Sequence, residues 1–207
     1  MIDLPLISCI MPTAARPDFA ARAVARFFRQ TWPYKELLIL DDATRLSFIY
    51  PPPGCVYWRS ITQTLGAKRN ELCARAAGDV ICHWDDDDIS GDDRLSHQIA
   101  VMMQNNASII GYNPMLFMDE SAGWWRYHSI APGYVLGTSL MYRKDVWSAA
   151  PFKADQHIGE DGAFLTGKAG VVGVPGDLHL VATIHCGNSS PREIRPPLWT
   201  RLMECDL

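Results

Sequence analysis

The chain has no apolar run near the ~20 residues that a helix needs to cross a bilayer. Its first residues, Met1-Ile2-Asp3-Leu4-Pro5, lack the basic flank and long apolar core of a secretory leader. The expectation is a cytoplasmic protein that meets a membrane, if at all, by peripheral association. It also lacks an excess of positive charge. With 19 Lys and Arg against 23 Asp and Glu the formal net charge is -4, so no general nucleic-acid binding is expected. The six cysteines (Cys9, Cys55, Cys73, Cys82, Cys186 and Cys205) include no C-x-x-C pair and no zinc-ligand spacing. Cys9, Cys73 and Cys82 fall in apolar segments, and all six read as reduced thiols. Repeats, low-complexity tracts and linkers are absent too.

What is present is an ordinary globular composition: 207 residues, 48% hydrophobic and 20% charged, a length that suits one domain over residues 1–207. The first half alternates strand and helix patterns. Leu6 to Met11 is a continuous apolar run ending at Pro12-Thr13. Asp18 to Gln30 places Ala20, Val24, Phe27 and Phe28 on one helical face, with Arg22, Arg26 and Arg29 elsewhere. A second strand, Glu36 to Leu40, runs into Asp41-Asp42. After a proline-rich loop and a short strand at Val56 to Trp58, a helix over Ala67 to Ala77 is expected to close at Gly78. Val80 to Trp84 then runs directly into Asp85-Asp86-Asp87-Asp88. A helix over about 92–103 and a strand at Ser108 to Gly111 follow, and this order predicts an α/β fold with a mainly parallel sheet. The second half is less regular: an aromatic loop (Trp124, Trp125, Tyr127), an apolar segment at Thr138 to Tyr142, Glu160-Asp161, a helix over 162–168, and a strand near Leu178 to Ile184.

In open α/β sheets ligands bind beyond the carboxyl ends of the strands, and both acidic motifs stand there. Four consecutive carboxylates repel one another unless a cation or hydrogen-bond donors offset them. Hard oxygen ligands suit Mg2+ or Mn2+, which complete their shell with water and substrate phosphate and can stabilise a diphosphate leaving group. The plainer reading of such a run is a solvated loop capping the next helix; its place after an apolar strand favours function. Asp92 and Asp93 read as helix N-terminal residues, and His83 as structural.

These residues form a pattern that resembles family 2 glycosyltransferases, from about Leu6 to His185. Ile10-Met11-Pro12-Thr13-Ala14-Ala15-Arg16 is similar to the family's PTxxR opening, Gln30 to Leu37 to its QTYPxxEL, and Asp41-Asp42 to the DD that follows. Leu65 to Asn70, Ala77 to Val80 and His83 to Asp88 resemble its GxxRN…AxGxxixxxDxDD block, in a subgroup with HWDDDD. Gly137 to Arg143 and Gly159-Glu160-Asp161 follow in the family's order.

The resemblance implies a GT-A fold, with a nucleotide-binding half over about 1–90, an acceptor-side half over about 91–190 and a short C-terminal tail. It implies a metal-dependent, inverting transfer from a nucleotide-sugar donor, a UDP-sugar by preference, to an acceptor such as a glycan, a lipid-linked glycan or a protein. Pro12, Thr13, Arg16 and Asp42 would line the nucleotide pocket, with Lys68 and Arg69 near the donor. Asp85 and Asp87 would be the DxD, Asp87 the first choice for contact with Mn2+ or Mg2+. Asp86 would lie at the donor, and Asp88 would face the sugar hydroxyls. Asp161 would be the general base and Glu160 the second choice; from pattern alone, helix capping explains this pair equally well. His185, at a strand end, matches a position where some related enzymes bind metal, although a lone histidine is more often structural. Trp125, with Trp124 and Tyr127, would stack on a sugar face or close the core.

Two departures from the pattern bear on base recognition and the donor site, namely Ala14-Ala15 before the arginine and Lys68 in place of a small residue. The rivals are three. A sugar nucleotidyltransferase would carry a glycine-rich loop where Pro12 to Arg16 has no glycine. A phosphohydrolase would place an aspartate where this chain has Met11-Pro12. A non-catalytic nucleotide- or carbohydrate-binding module would share the fold without turnover.

Overall fold

The computed structural model describes residues 4–45, 47, 48, 50–189 and 193–203. Its centre is β1 (Ile7–Thr13), with all seven residues buried, as a strand covered on both faces should be. It pairs in parallel with β2 (Lys35–Asp41) and β4 (Val80–His83), and β3 (Val56–Arg59) extends the sheet beyond β2. On the other side β9 (Met141–Arg143) runs antiparallel between β4 and β6 (Ile109–Tyr112), and β10 (Val171–Val174) is parallel to β6. The order β10-β6-β9-β4-β1-β2-β3 makes a mixed, mainly parallel sheet.

Helices cover both faces. α1 (Pro17–Arg29) begins with Pro at its first position, where no amide hydrogen is needed. Its buried stripe is Ala20, Ala23, Val24 and Phe27. Phe28, expected on that face, is 50% exposed; the stripe centres on Ala23 and Phe27, which leaves Phe28 at its rim. With α3 (Arg94–Gln104), α1 packs Phe27, Leu95, Ile99 and Met102 against Cys9, Met11 and Cys82. The opposite face takes Leu72 and Cys73 of α2 (Leu65–Arg75) and Phe164 of α5 (Glu160–Leu165) against Ile10, Leu38 and Ile81. Each such buried side chain contributes roughly 1.5–3 kcal/mol.

α2 is capped by Thr64, whose hydroxyl accepts from the Ala67 amide at 3.2 Å, and it ends before Ala76. Gly78 does not close it in a left-handed turn as expected. A Cβ there would lie 2.3 Å from the Leu6 carbonyl oxygen, so this glycine permits backbone contact with β1.

The second half is more regular than its sequence suggests. The aromatic segment is a strand, β8 (Gly123–Tyr127), hairpinned to β7 (Met115–Asp119). With β11 (Leu180–Ile184), β5 (Ile89–Ser90) and β12 (Trp199–Arg201) these form a second sheet, ordered β12-β8-β7-β11-β5. The expected tail is thus partly a strand of this sheet. Thr138 to Tyr142 divides into a 3-10 turn (Gly137–Ser139) and β9. The helix expected at 162–168 starts at Glu160; α4 (Lys144–Ala149) precedes it. Cys9, Cys55, Cys73, Cys82 and Cys186 are free thiols, while Cys205 lies outside the described residues. No described helix is long and apolar enough to cross a membrane.

Candidate active site

The acidic run leaves β4 as a turn in which Asp86 and Asp88 are buried and Asp85 and Asp87 half-buried. Each carboxylate has its own partner. Asp85 Oδ1 accepts from Arg69 Nη2 at 3.3 Å. Asp86 accepts from the Thr13 hydroxyl at 2.6 Å and Arg16 Nη1 at 2.9 Å. Asp87 Oδ2 accepts from the same Arg16 nitrogen at 2.9 Å and lies 3.1 Å from His185 Nε2 and 3.3 Å from Asn188 Nδ2. Asp88 takes the Thr138 hydroxyl and the Thr183 amide, the latter at 3.1 Å. Among the described residues none of the four caps α3, so the run is no capping loop.

Crowding acidic groups in a dry place has a cost that shows in their acidity. Burial and the Asp87 charge push Asp86 up to about 6, against the pull of Arg16 and Thr13. Burial, then Asp87 and Asp85, raise Asp88 well above the usual carboxylate range. Asp88 is therefore a buried tie between the 3-10 turn and β11, though it also borders the cavity.

Two cavities meet here. One, of about 420 Å³, is lined by Pro12, Thr13, Asp42, Gln63 and Lys68, with Arg16 and Asp86 at its inner end. Asp42 does not stand free in it: its oxygens accept from Lys68 Nζ at 2.8 Å and the Gln63 amide at 2.9 Å. The other cavity, of about 300 Å³, holds Arg69, Asp85 to Asp88, Glu160 and Asp161, and again Pro12 and Arg16. Glu160 is tied to Arg69 Nε at 3.1 Å. Burial raises the Glu160 pKa, against the pull of Arg69. Asp161 accepts only from the Gly162 amide, at 2.8 Å, among the described residues. Arg69 Nη1 is buried beside them with no hydrogen-bond partner among the described residues.

Several contributors carry no sequence signal as individuals. A Cβ on Gly137 would lie 1.4 Å from Asp161 Oδ2, so the bare Cα of this glycine is what lets the carboxylate sit there. The Gly137 carbonyl accepts from the buried His83 Nδ1 at 2.8 Å; burial, reinforced by Arg69, holds that imidazole neutral. The Phe19 ring stacks on His185 at 4.7 Å, and the Gly187 amide donates to His185 Nδ1 at 3.0 Å. The Gly187-Asn188 pair after His185 reads as a turn, a signal that would have found the second of these contacts; nothing local marks the first.

Thirteen of the fourteen expected residues border one or both cavities or, for His185, contact one that does. Trp125 does not. It stands on β8 in register with Phe117 and Arg201 and packs on the apolar layer under the second sheet, with its indole nitrogen buried and without a partner among the described residues. Strand alternation turns it to the core and away from a sugar.

A Mn2+ or Mg2+ ion fits part of this donor set. Ligands around an octahedral ion at about 2.1 Å sit about 3 Å apart, and Asp87 Oδ2 and His185 Nε2 have that spacing. Among the described residues no third acidic, imidazole or thiol group converges with them, which suits an ion that keeps several water or phosphate ligands.

The fold agrees with comparisons to known proteins. The chain is 26% identical over 113 residues to an uncharacterised glycosyltransferase of Haemophilus influenzae, covering 51% of this chain and 45% of that one. It spans less than half the length of the curated relatives it matches. Its fold is that of S. aureus TarS 1-349 in complex with UDP, with TM-score 0.68 and 16% identity over 86% of this chain and 60% of that one. It is also that of the mannosyltransferase PcManGT of Pyrobaculum calidifontis in complex with GDP-Man and Mn2+, with TM-score 0.65 and 10% identity over 91% and 59%. These are GT-A folds, and the mixed sheet with helices on both faces is one as well. The sequence profile of glycosyl transferase family 2 matches residues 8–164, and the chain belongs to that family.

Proposed function

We propose that the protein is a metal-dependent, inverting glycosyltransferase that uses a nucleotide-diphosphate sugar. The observation that carries this is the junction of two cavities at Arg16 and Asp86, one flanked by Asp42 and Lys68, the other bordered by Asp161. A donor laid across the junction has its nucleoside in the first, its diphosphate beside Asp85 to Asp87, and its sugar in the second. UDP is the favoured nucleotide, supported by the UDP complex of the S. aureus neighbour; the GDP-Man complex of the archaeal one makes guanosine the alternative.

Asp161 is the general base of this reading. Its carboxylate carries one backbone hydrogen bond and is free to take the proton of an acceptor hydroxyl as that oxygen attacks the anomeric carbon opposite the diphosphate. Glu160 is the weaker candidate, because its ion pair with Arg69 would have to break first. Pro12, Thr13, Asp42 and Lys68 hold the nucleoside side; Asp86 and Asp88 anchor the acidic turn; Asp87 and His185 are the residues that would hold Mn2+ or Mg2+. Asp85, expected as a further ligand, does not converge with them and is paired with Arg69. A bound ion would supply positive charge to the departing diphosphate. The acceptor class is open among glycans, lipid-linked glycans and proteins, and a cytoplasmic location is part of the same proposal.

The test is calorimetric titration with UDP, GDP, CDP and dTDP, with and without Mn2+, on wild type and Asp87→Ala. Tight, metal-dependent binding of one nucleotide, lost in the variant, is expected. Absence of binding to all four sinks the reading as a working transferase.

A further inference from the structure

The Asp87 oxygen that faces His185 is already occupied. This Oδ2 receives Arg16 Nη1 at 2.9 Å and faces His185 Nε2 at 3.1 Å and Asn188 Nδ2 at 3.3 Å. A carboxylate oxygen offers a limited number of directions to donors, and a planar guanidinium already holds the one shared with Asp86. The imidazole is set against a metal as well. Its Nδ1 accepts the Gly187 amide at 3.0 Å, so the ring proton sits on Nε2 and points at Asp87. Metal-bound histidines normally donate from the other ring nitrogen instead.

Both contacts run through one residue. The Gly187 amide hydrogen holds His185, and the Gly187 carbonyl accepts from Arg16 Nη2. The Arg16 backbone is fixed by Pro17 at the start of α1 and by its amide bond to Ser47 Oγ at 3.2 Å. Its side chain is 22% exposed and borders both cavities. The charged end thus has somewhere to go, and a diphosphate at the junction offers it an anion in exchange for Asp87.

We propose that Arg16 is an internal counter-cation that bridges Asp86 and Asp87 and must leave Asp87 Oδ2 before a divalent ion can bind between that oxygen and His185 Nε2. The inference rests on the reading of Asp87 as a metal ligand. It makes ion and donor diphosphate load together: the diphosphate draws Arg16 away, the acidic turn opens, and the Gly187 turn releases His185. Linkage then requires each to tighten the other by the same factor.

The test is Mn2+ binding, read from the electron paramagnetic resonance of the free aqueous ion, with and without UDP. The proteins are wild type, Arg16→Lys and Asp86→Asn, each first shown to be folded by its thermal melt. Lysine keeps the charge and loses the two-carboxylate bridge; a contribution from charge alone predicts no change for it. Asparagine removes a nearby negative charge, which on charge alone weakens Mn2+ binding. The counter-cation model predicts the opposite for both, with Mn2+ bound at least about fivefold more tightly than by wild type in the absence of UDP. It also predicts that UDP tightens Mn2+ binding by wild type more than by either variant. Wild type that binds Mn2+ with UDP, beside Asp86→Asn that binds it more weakly and Arg16→Lys that is unchanged, overturns the inference and leaves the transferase reading standing. No Mn2+ binding by any of the three with UDP present removes the inference together with the metal dependence. If Asp86→Asn does not fold, Arg16→Lys decides alone, because a tighter ion and an unchanged one are opposite outcomes.

Discussion

The two carboxylates at the heart of the site, Asp87 and Asp161, live in opposite surroundings. Asp87 is met by three side-chain nitrogens from two distant parts of the chain, Arg16 and the turn that carries His185 and Asn188. Among the described residues Asp161 has one hydrogen bond, from its own helix, and it rests on a bare Cα. The first is built to hold positive charge and the second to be reached by something from outside. A tightly paired carboxylate is a poor proton acceptor, since its donors favour the ionised form. A half-buried, lightly bonded one is a poor anchor. The fold keeps the two tasks apart by placing one after β4 and the other at the start of α5, across a single cavity.

Substitutions can break that contrast. Asp161→Asn should have the largest effect: turnover lower by roughly 10²–10⁴-fold, with UDP and Mn2+ affinity near wild type by calorimetry. Equal loss of donor binding would mean that Asp161 belongs to the charged side. Lys68→Ala leaves Asp42 buried without its ion-pair partner, and unfolding titration should show a loss of about 3 kcal/mol or more. A loss under 1 kcal/mol would show that Gln63 and water satisfy Asp42 unaided. Gly137→Ala should displace Asp161 by about an ångström and lower kcat by roughly 10²-fold, with little change in nucleotide affinity; unchanged kcat would detach Asp161 from the chemistry. Smallest is Trp125→Phe, which removes a buried N–H that has no partner among the described residues. Stability should be within about 0.5 kcal/mol of wild type or higher and KM for the donor unchanged. A raised KM would restore the sugar-stacking role that the strand's orientation denies.

Much of this was legible because it is local. The strand runs end in the acidic motifs, and the order of motifs implied the family before any contact was visible. The strands that were expected fell within a residue or two of their places, since a buried parallel strand leaves a continuous apolar trace. Other features were hidden. Trp124, Trp125 and Tyr127 read as a loop because the second sheet pairs segments distant in sequence, β12 with β8 and β11 with β7. The Phe28 side chain was misplaced by one position on the helical wheel. Gly78 imitates a helix stop while serving a close backbone approach. The partners of Asp87 come from Arg16, His185 and Asn188, up to 101 residues away, and no periodicity announces such a meeting.

The buried His83 has a consequence for how such a site can diversify. Its ring holds the Gly137 carbonyl, its backbone amide bonds the Leu140 carbonyl at 2.8 Å, and Asp161 sits on Gly137. The strand that presents the acidic turn thereby also gauges where Asp161 stands, like a ruler with the two carboxylate groups at its marks. Segments outside that gauge, such as the stretch carrying Ile130 and Tyr134, are free to change length and chemistry while the span between Asp161 and the acidic turn stays the same.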